Sequence, residues 1–281
     1  MTHQRVLLAG CGYLGLRVAQ RLRARGDAVW ALRRHPPAAA DDSGIHWLGA
    51  DLTDAASLRA LPAGLTQLVY LPTPDRRDEA AYRATFVDGL RRVLEAAGCA
   101  ALQRVLLVSS SAVYGEHGGA WVDEDTPVAP PGFNGKLLLQ AEQLLAAQPV
   151  PAIALRLAGL YGPGRTQLFE RLRAGQLRVP RRQVHWANRM HADDAAAAIV
   201  HLLALADPQP CYVGADSTPL PLDQLYDALA RLIGAEPPAD GPPPAGIGSK
   251  RLSNARLRAS GFDLRWPDAR DGYAALLRDG T

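Results

Sequence analysis

Six short runs along the chain are apolar almost throughout: RVLLAG (5–10), AVWAL (28–32), IHWLG (45–49), QLVYL (67–71), RVLLVS (104–109) and AIALRL (152–157). Continuous rather than alternating hydrophobicity is expected of strands when helices cover both faces of their sheet. Helical patterns fall between these runs. Tyr82, Phe86, Leu90, Val93, Leu94 and Ala97 recur at helical spacing, which predicts one amphipathic helix over 78–97, stopped by Gly98. That stripe belongs to the core. Strands alternating with helices predict parallel βαβ units, hence an α/β chain with a doubly wound parallel sheet of the Rossmann type.

After residue 160 the pattern loosens. A basic segment with Arg165, Arg171, Arg173, Arg178, Arg181 and Arg182 precedes a helix expected from about Asp193 to Ala206. CYVG follows, then a helix near 222–233 and the stretch EPPADGPPPAGIG, which reads as an exposed loop. The expected division is a Rossmann domain over 1–157 plus about 186–206, and a smaller C-terminal α/β substrate lobe over about 158–185 plus 207–281. The six arginines are either a solvated face or, through Arg165, a contact for an anionic group.

The first strand runs directly into GCGYLG, where Gly10, Gly12 and Gly15 have the G-x-G-x-x-G spacing and open a helix. Gly10 suits the tight turn, Gly12 lets backbone approach a pyrophosphate, and Gly15 permits close helix packing. The helix start at Tyr13 and Leu14 then offers N–H donors and a partial positive charge to phosphate. At the end of the second strand, where an NAD-preferring site carries an acid for the ribose 2′-hydroxyl, stand Arg33 and Arg34. Guanidinium groups attract and fork-bond a 2′-phosphate, so the expected cofactor is NADP(H) in preference to NAD(H); the alternative is two solvated arginines. Asp51 and Leu52 after the third strand are placed to meet the adenine, although Asp51 would also serve as a turn residue. Leu71 and Pro72, after the fourth strand, complete the expected cofactor set.

Composition narrows the partners. Of 281 residues, 48% are apolar and 21% charged, with 31 basic and 28 acidic side chains and a net charge of +3, an ordinary soluble balance. No dense Lys/Arg block or aromatic interleaving points to nucleic acid. Cys11, Cys99 and Cys211 lack metal-ligand or redox-pair spacing, so no metal is expected and a reduced, cytoplasmic chain is the simple reading. No apolar run approaches the roughly 20 residues that span a bilayer, and the chain enters a strand with no signal-peptide core.

The motifs GCGYLG, GADLTD, VSSSAVYGE, VDEDTPVAP, LRLAGLYGPGR and NRMHADDAAAAI occur in the order of the extended short-chain dehydrogenase/reductases, the NAD(P)-dependent epimerase/dehydratase group, which the chain resembles over most of its length. The tail KRLSNARLRASGFDLRWPDARDGYAALL is similar to that of a small atypical bacterial branch. The resemblance implies a seven-stranded cofactor domain with a C-terminal substrate lobe, substrates that are often nucleotide-activated sugars, and catalysis by a Ser or Thr with a Tyr-x-x-x-Lys pair on one helix face. In that set Tyr exchanges a proton with the substrate oxygen, Lys lowers the phenol pKa and holds the ribose, and Ser polarises the same oxygen. A homodimer through paired helices is common in the family, and the sequence leaves the oligomeric state open.

Ser110 matches the Ser/Thr position. The pair does not carry over. A register set by Glu142 places Asn134 and Leu138 there; a register set by Lys136 places Gly132 at the tyrosine position. Lys136 is thus either a ribose contact or an exposed first-turn lysine. Tyr114 and Tyr161 are the alternative acids, with His185, His191, Glu116 and His117 behind them, and Ser111, Tyr161 and Arg165 are expected to meet substrate. Two functions remain: an NADP(H)-binding oxidoreductase or epimerase/dehydratase-like enzyme with altered machinery, or a non-catalytic NADP(H)-responsive regulatory protein.

Overall fold

The computed structural model describes residues 3–37, 43–98 and 102–278; Cys99 lies outside them. The apolar runs form a seven-stranded, mostly parallel sheet. Its strands are β1 (Arg5–Ala9), β2 (Ala28–Arg33), β3 (His46–Gly49), β4 (Gln67–Tyr70), β5 (Arg104–Ser110), β6 (Ala152–Leu157) and β7 (Cys211–Gly214), in the order β7-β6-β5-β4-β1-β2-β3. The pairs among β1 to β5 are parallel. Val6, Leu7 and Leu8 on β1 and Leu68, Val69 and Tyr70 on β4 are fully buried, which explains why these strands show no alternation. The strand order reverses between β1 and β4, and their ends are level, since Ala9 faces both Leu32 and Tyr70. A crevice at the carboxyl end of β1 follows from that reversal.

The single helix expected over 78–97 is instead three pieces. Asp78 caps α2 (Glu79–Tyr82) by accepting from the Ala81 N–H at 2.8 Å; a π-helical turn spans Arg83–Asp88; α3 (Gly89–Ala97) then ends at Gly98, in the left-handed region at φ 69°. The cause is tertiary. The buried Tyr70 hydroxyl donates to the Thr85 carbonyl at 2.5 Å, inside the wide turn, and a Cβ at Gly89 would stand 2.6 Å from that hydroxyl oxygen. The widened turn gives the tyrosine its acceptor and the glycine gives it room.

Helix α4 (Phe133–Ala146) is anchored by a buried polar network. Glu142 accepts from the Ser109 hydroxyl at 2.5 Å and from Arg156 Nη2 at 2.7 Å, with Arg156 Nε 3.2 Å from both carboxylate oxygens. All three residues are under a tenth exposed. The carboxylate therefore ties α4 to both β5 and β6, and fixes which helix face meets the sheet.

The chain forms two compact units, one of Met1–Val113, Gly132–Arg156 and Ala196–Tyr212, the other of Tyr114–Pro131, Leu157–Ala195 and Val213–Thr281. Residues 114–131 and 186–195, which the sequence reading kept with the sheet, fall in the second unit. They are held there by pairing with distant segments: Trp121–Val122 runs parallel to Arg251–Leu252, Trp186–Ala187 antiparallel to Leu220–Pro221, and Arg189–His191 parallel to Gly159–Tyr161. The loop rich in Pro and Gly contributes Ala239–Asp240 as a partner for Arg178–Val179.

The second unit has its own core from α5 (Gln167–Arg173), α7 (Leu222–Leu232) and α9 (Ala269–Arg278), and also holds α8 (Ala255–Ala259), whereas α6 (Ala192–Ala204) belongs mostly to the first unit. Phe169, Leu172, Leu225, Leu229, Tyr273 and Leu276 are among its buried members, and Tyr161 stacks on Tyr273 with ring centroids 4.2 Å apart. Gly272 makes that stack possible, because a Cβ there would lie 2.0 Å from the Tyr161 hydroxyl. Gly272→Ala is expected to destabilise the protein by about 1–3 kcal/mol through overpacking, read as a lower urea midpoint. An unchanged midpoint would mean that the ring moves aside without cost. Among the described residues no helix is long and apolar enough to cross a membrane.

Candidate functional site

At the carboxyl end of β1 the backbone turns sharply. Gly10 has φ 92°, and the Gly10 and Cys11 N–H groups donate to the Leu32 carbonyl at 3.1 and 2.8 Å, binding the turn to β2. A Cβ at Gly10 would fall 2.5 Å from the Pro72 Cα, so both its conformation and its space require glycine. Gly15 packs the first turn of α1 (Tyr13–Ala24) against Cys11 and Leu71, whose Sγ and Cδ1 would be 3.1 and 3.4 Å from an added Cβ. Burial pushes the Cys11 thiol up to about 12, against the pull of Arg33, so it packs as a neutral group. Gly12 is different: only the Gly10 carbonyl oxygen, at 4.0 Å, comes near its missing Cβ. Gly12 is also the N-cap of α1 and no side chain caps that end. An open backbone face and uncapped N–H donors together form an anion cradle.

The pocket around this turn is lined by the ends of four strands: Gly10, Cys11 and Gly12 after β1, Arg33, Arg34 and His35 at β2, Ala50, Asp51, Leu52 and Thr53 after β3, and Pro72, Thr73 and Asp75 after β4. Thr85, from the π-helical turn, closes it. The sequence-derived residues Gly10, Gly12, Arg33, Arg34, Asp51, Leu52 and Pro72 thus converge on one cavity. Gly15, Leu14 and Leu71 are buried supports beside it, and Tyr13 lies under the Arg17 guanidinium, 4.0 Å from its ring centre. Asp51 is a turn residue, accepting from the Thr53 N–H and hydroxyl, both at 2.8 Å.

The two arginines differ. The Arg33 side chain is exposed and makes no hydrogen bond or ion pair with the described residues. Arg34 is joined through both terminal nitrogens to the two carboxylate oxygens of Asp75. That pair raises the Arg34 pKa and lowers that of Asp75. Thr73, Asp75, His35 and Thr85 were not picked out from sequence. Nothing local marks them, because each enters the pocket only through the ordering of strands.

The expected catalytic groups are less concentrated. Ser110, half-buried, ends β5, and its Oγ accepts from the Ala112 N–H at 3.2 Å. Ser111, also half-buried, begins a short turn, Ser111–Val113, against which α4 packs. On α4, Glu142 faces the buried network and Leu138, one turn earlier, is 4% exposed. Asn134 continues that face. Lys136 is exposed, two residues and about 200° around the helix from Leu138, so it stands on a different face from Asn134 and Leu138.

In the second unit, Tyr114 is 1% exposed and its hydroxyl donates to the Asp123 carbonyl at 2.7 Å. Tyr161 is as deeply packed, its hydroxyl has no hydrogen-bond partner among the described residues, and burial raises its pKa. His191 Nδ1 accepts from the Asp193 N–H at 3.1 Å at the start of α6, a structural turn. Arg165 is exposed, with Nη1 3.5 Å from the Leu160 carbonyl. Glu116 and His185 sit with a lysine that sequence reasoning overlooked, Lys250, which is 4% exposed and donates to the Gly248 carbonyl at 3.2 Å. Burial lowers the pKa of both Lys250 and His185. Burial would raise the Glu116 carboxyl, but the Ser249 and Gly118 N–H groups, each 2.7 Å away, hold it low.

A glycine turn and uncapped helix start at the switch point of a seven-stranded sheet define a dinucleotide-binding α/β protein. The chain belongs to the NAD dependent epimerase/dehydratase family, whose model matches residues 6–213. It is 29% identical over 279 residues to protein YeeZ of Escherichia coli strain K12, an alignment covering 94% of this chain and 97% of that protein. A solved structure from Methylobacillus flagellatus, described as a candidate NAD-dependent epimerase/dehydratase, is 40% identical with a TM-score of 0.82 and 99% of both chains covered. MoeE5, solved with UDP-glucose and NAD, shares the fold at a TM-score of 0.81, 23% identity and 98% coverage of both chains.

Proposed function

We propose that this chain is an NADP(H)-dependent enzyme of the extended short-chain dehydrogenase/reductase type, acting on a carbonyl or alcohol carbon of a small, anionic substrate. The observation that carries the reading is the Arg33 guanidinium, without a partner among the described residues, in the same cavity as the Gly10–Gly12 turn. The uncapped α1 terminus suits the pyrophosphate, and Arg33 suits a 2′-phosphate on the adenosine side. When bound, the nicotinamide supplies or accepts the hydride. Ser110 acts on the substrate oxygen. Its Oγ already accepts from Ala112, and its hydroxyl hydrogen has no acceptor among the described residues, so it can donate to an oxygen that gains negative charge as hydride arrives. Nucleotide-activated sugars are the first substrates to try, since MoeE5 was solved with one.

Asn134 and Leu138 at the Tyr and Lys positions favour a second reading, a non-catalytic NADP(H)-binding regulator. Losing the proton-transfer pair costs a reductase more than a sensor. NADPH affinity and turnover over a panel of carbonyl and sugar-nucleotide substrates separate the two. For an enzyme, Ser110→Ala should lower kcat about a hundredfold with NADPH affinity unchanged. Tight NADPH binding with no turnover on any substrate would favour the regulator, and failure to bind either dinucleotide would remove both readings.

A further inference from the structure

We infer that Asp75 sets cofactor choice: in the free protein its carboxylate occupies the Arg34 guanidinium as a stand-in for a 2′-phosphate, and cofactor binding exchanges one anion for the other. The inference rests on the NADP(H) reading above and adds a specificity residue to it. Arg34 follows β2 and Asp75 follows β4, while β1 and its glycine turn lie between those strands in the sheet. The pair therefore reaches over the turn that would cradle the pyrophosphate, and both partners line that cavity. Arg34 Nη1 meets Oδ2 and Nη2 meets Oδ1, the parallel fork by which a guanidinium also grips a phosphate. One fork cannot serve both anions.

The exchange is mechanically simple. The Arg34 and Asp75 side chains are 46% and 60% exposed, so each can swing without opening the core. Charges facing Asp75 are Arg34, Arg76 and His35; Asp51 also faces Arg34. Arg76 is itself held by Asp78 at 3.1 Å. Arg33, whose side chain has no partner among the described residues, makes the first contact with an arriving phosphate, and Arg34 the second once Asp75 lets go. A ribose 2′-hydroxyl carries no charge with which to displace Asp75, so NAD(H) leaves the pair closed. Asp75 thus opposes NADP(H) by competition and by repulsion, and both effects weaken with salt.

Calorimetric titration of the full chain with NADP+ and NAD+ at low ionic strength tests this. Asp75→Asn should tighten NADP+ about fivefold, as breaking one exposed ion pair allows, and change NAD+ by less than about twofold. In an Arg34→Gln background the same substitution should tighten NADP+ by less than about twofold, since only the repulsion then remains. Equal tightening of both dinucleotides would make the pair a simple lid and overturn the inference, as would an unchanged or weakened NADP+ affinity. The parent reading fails separately: wild type would then show no NADP+ preference, or Arg33→Asp would leave NADP+ affinity alone. A preference that depends on Arg33 but not on Asp75 would sink only the role given to Asp75.

Discussion

Arg33→Asp is expected to weaken NADPH binding on the order of a hundredfold, the size of a lost charge-assisted phosphate contact plus a new repulsion, and to change NADH binding by much less. The expectation comes from the state of the side chain. The Arg33 side chain is exposed on the cavity wall and makes no hydrogen bond or ion pair with the described residues, whereas its neighbour Arg34 is already held by Asp75. Removing Arg33 therefore takes away the one guanidinium of the two that is free to act at first contact. An aspartate there adds a negative charge where the 2′-phosphate would sit and offers an acceptor to a 2′-hydroxyl. Equal weakening of both dinucleotides, measured by titration with each reduced cofactor, would contradict the assignment of Arg33 to the phosphate.

Glu142→Ala is expected to cost about 3–5 kcal/mol of folding stability, because it removes the buried carboxylate that the Arg156 guanidinium pairs with. Both residues are 8% exposed, and the Ser109 hydroxyl loses its acceptor at the same time. Exchanging the whole pair, Glu142→Leu with Arg156→Met, should recover much of that loss, since no buried charge then remains unpaired. Urea unfolding of the single and double variants checks both statements. A loss under about 1 kcal/mol for the single variant would show that water reaches Arg156. The same ion pair holds α4 against β5 and β6, so a loosened Glu142 should also disturb the helix face that carries Leu138 and Asn134 beside the Ser111 turn.

The local pattern determined a good deal. Near-continuous apolar runs specified six of the seven strands of the sheet to within a residue or so, because burial on both faces leaves no position for alternation. CYVG, which forms β7, was noticed without being assigned to the sheet. The glycine turn was legible because its requirement is local: Gly10 needs φ 92° and Gly15 needs a close helix. The arginines after β2 could be placed for a similar reason, since a strand end followed by a turn fixes where those side chains emerge. The absence of a Tyr-x-x-x-Lys pair was also plain, but its register was not.

Tertiary structure decided what depends on side chains far apart in sequence. Glu142 reaches Ser109 and Arg156, which turns that face of α4 to the sheet and leaves Lys136 on the exposed side. The π-helical turn came from Tyr70 bonding the Thr85 carbonyl, a contact no helical periodicity announces. Residues 114–131 and 186–195 joined the second unit because they pair with strands from the chain's last third and with the segment at 159–161. Asp75 became a pocket residue only because β4, not β3, lies beside β1. Hydrophobic periodicity records which face of an element is buried; the partners that cover it, and the polar groups they bring, depend on the order in which the sheet assembles.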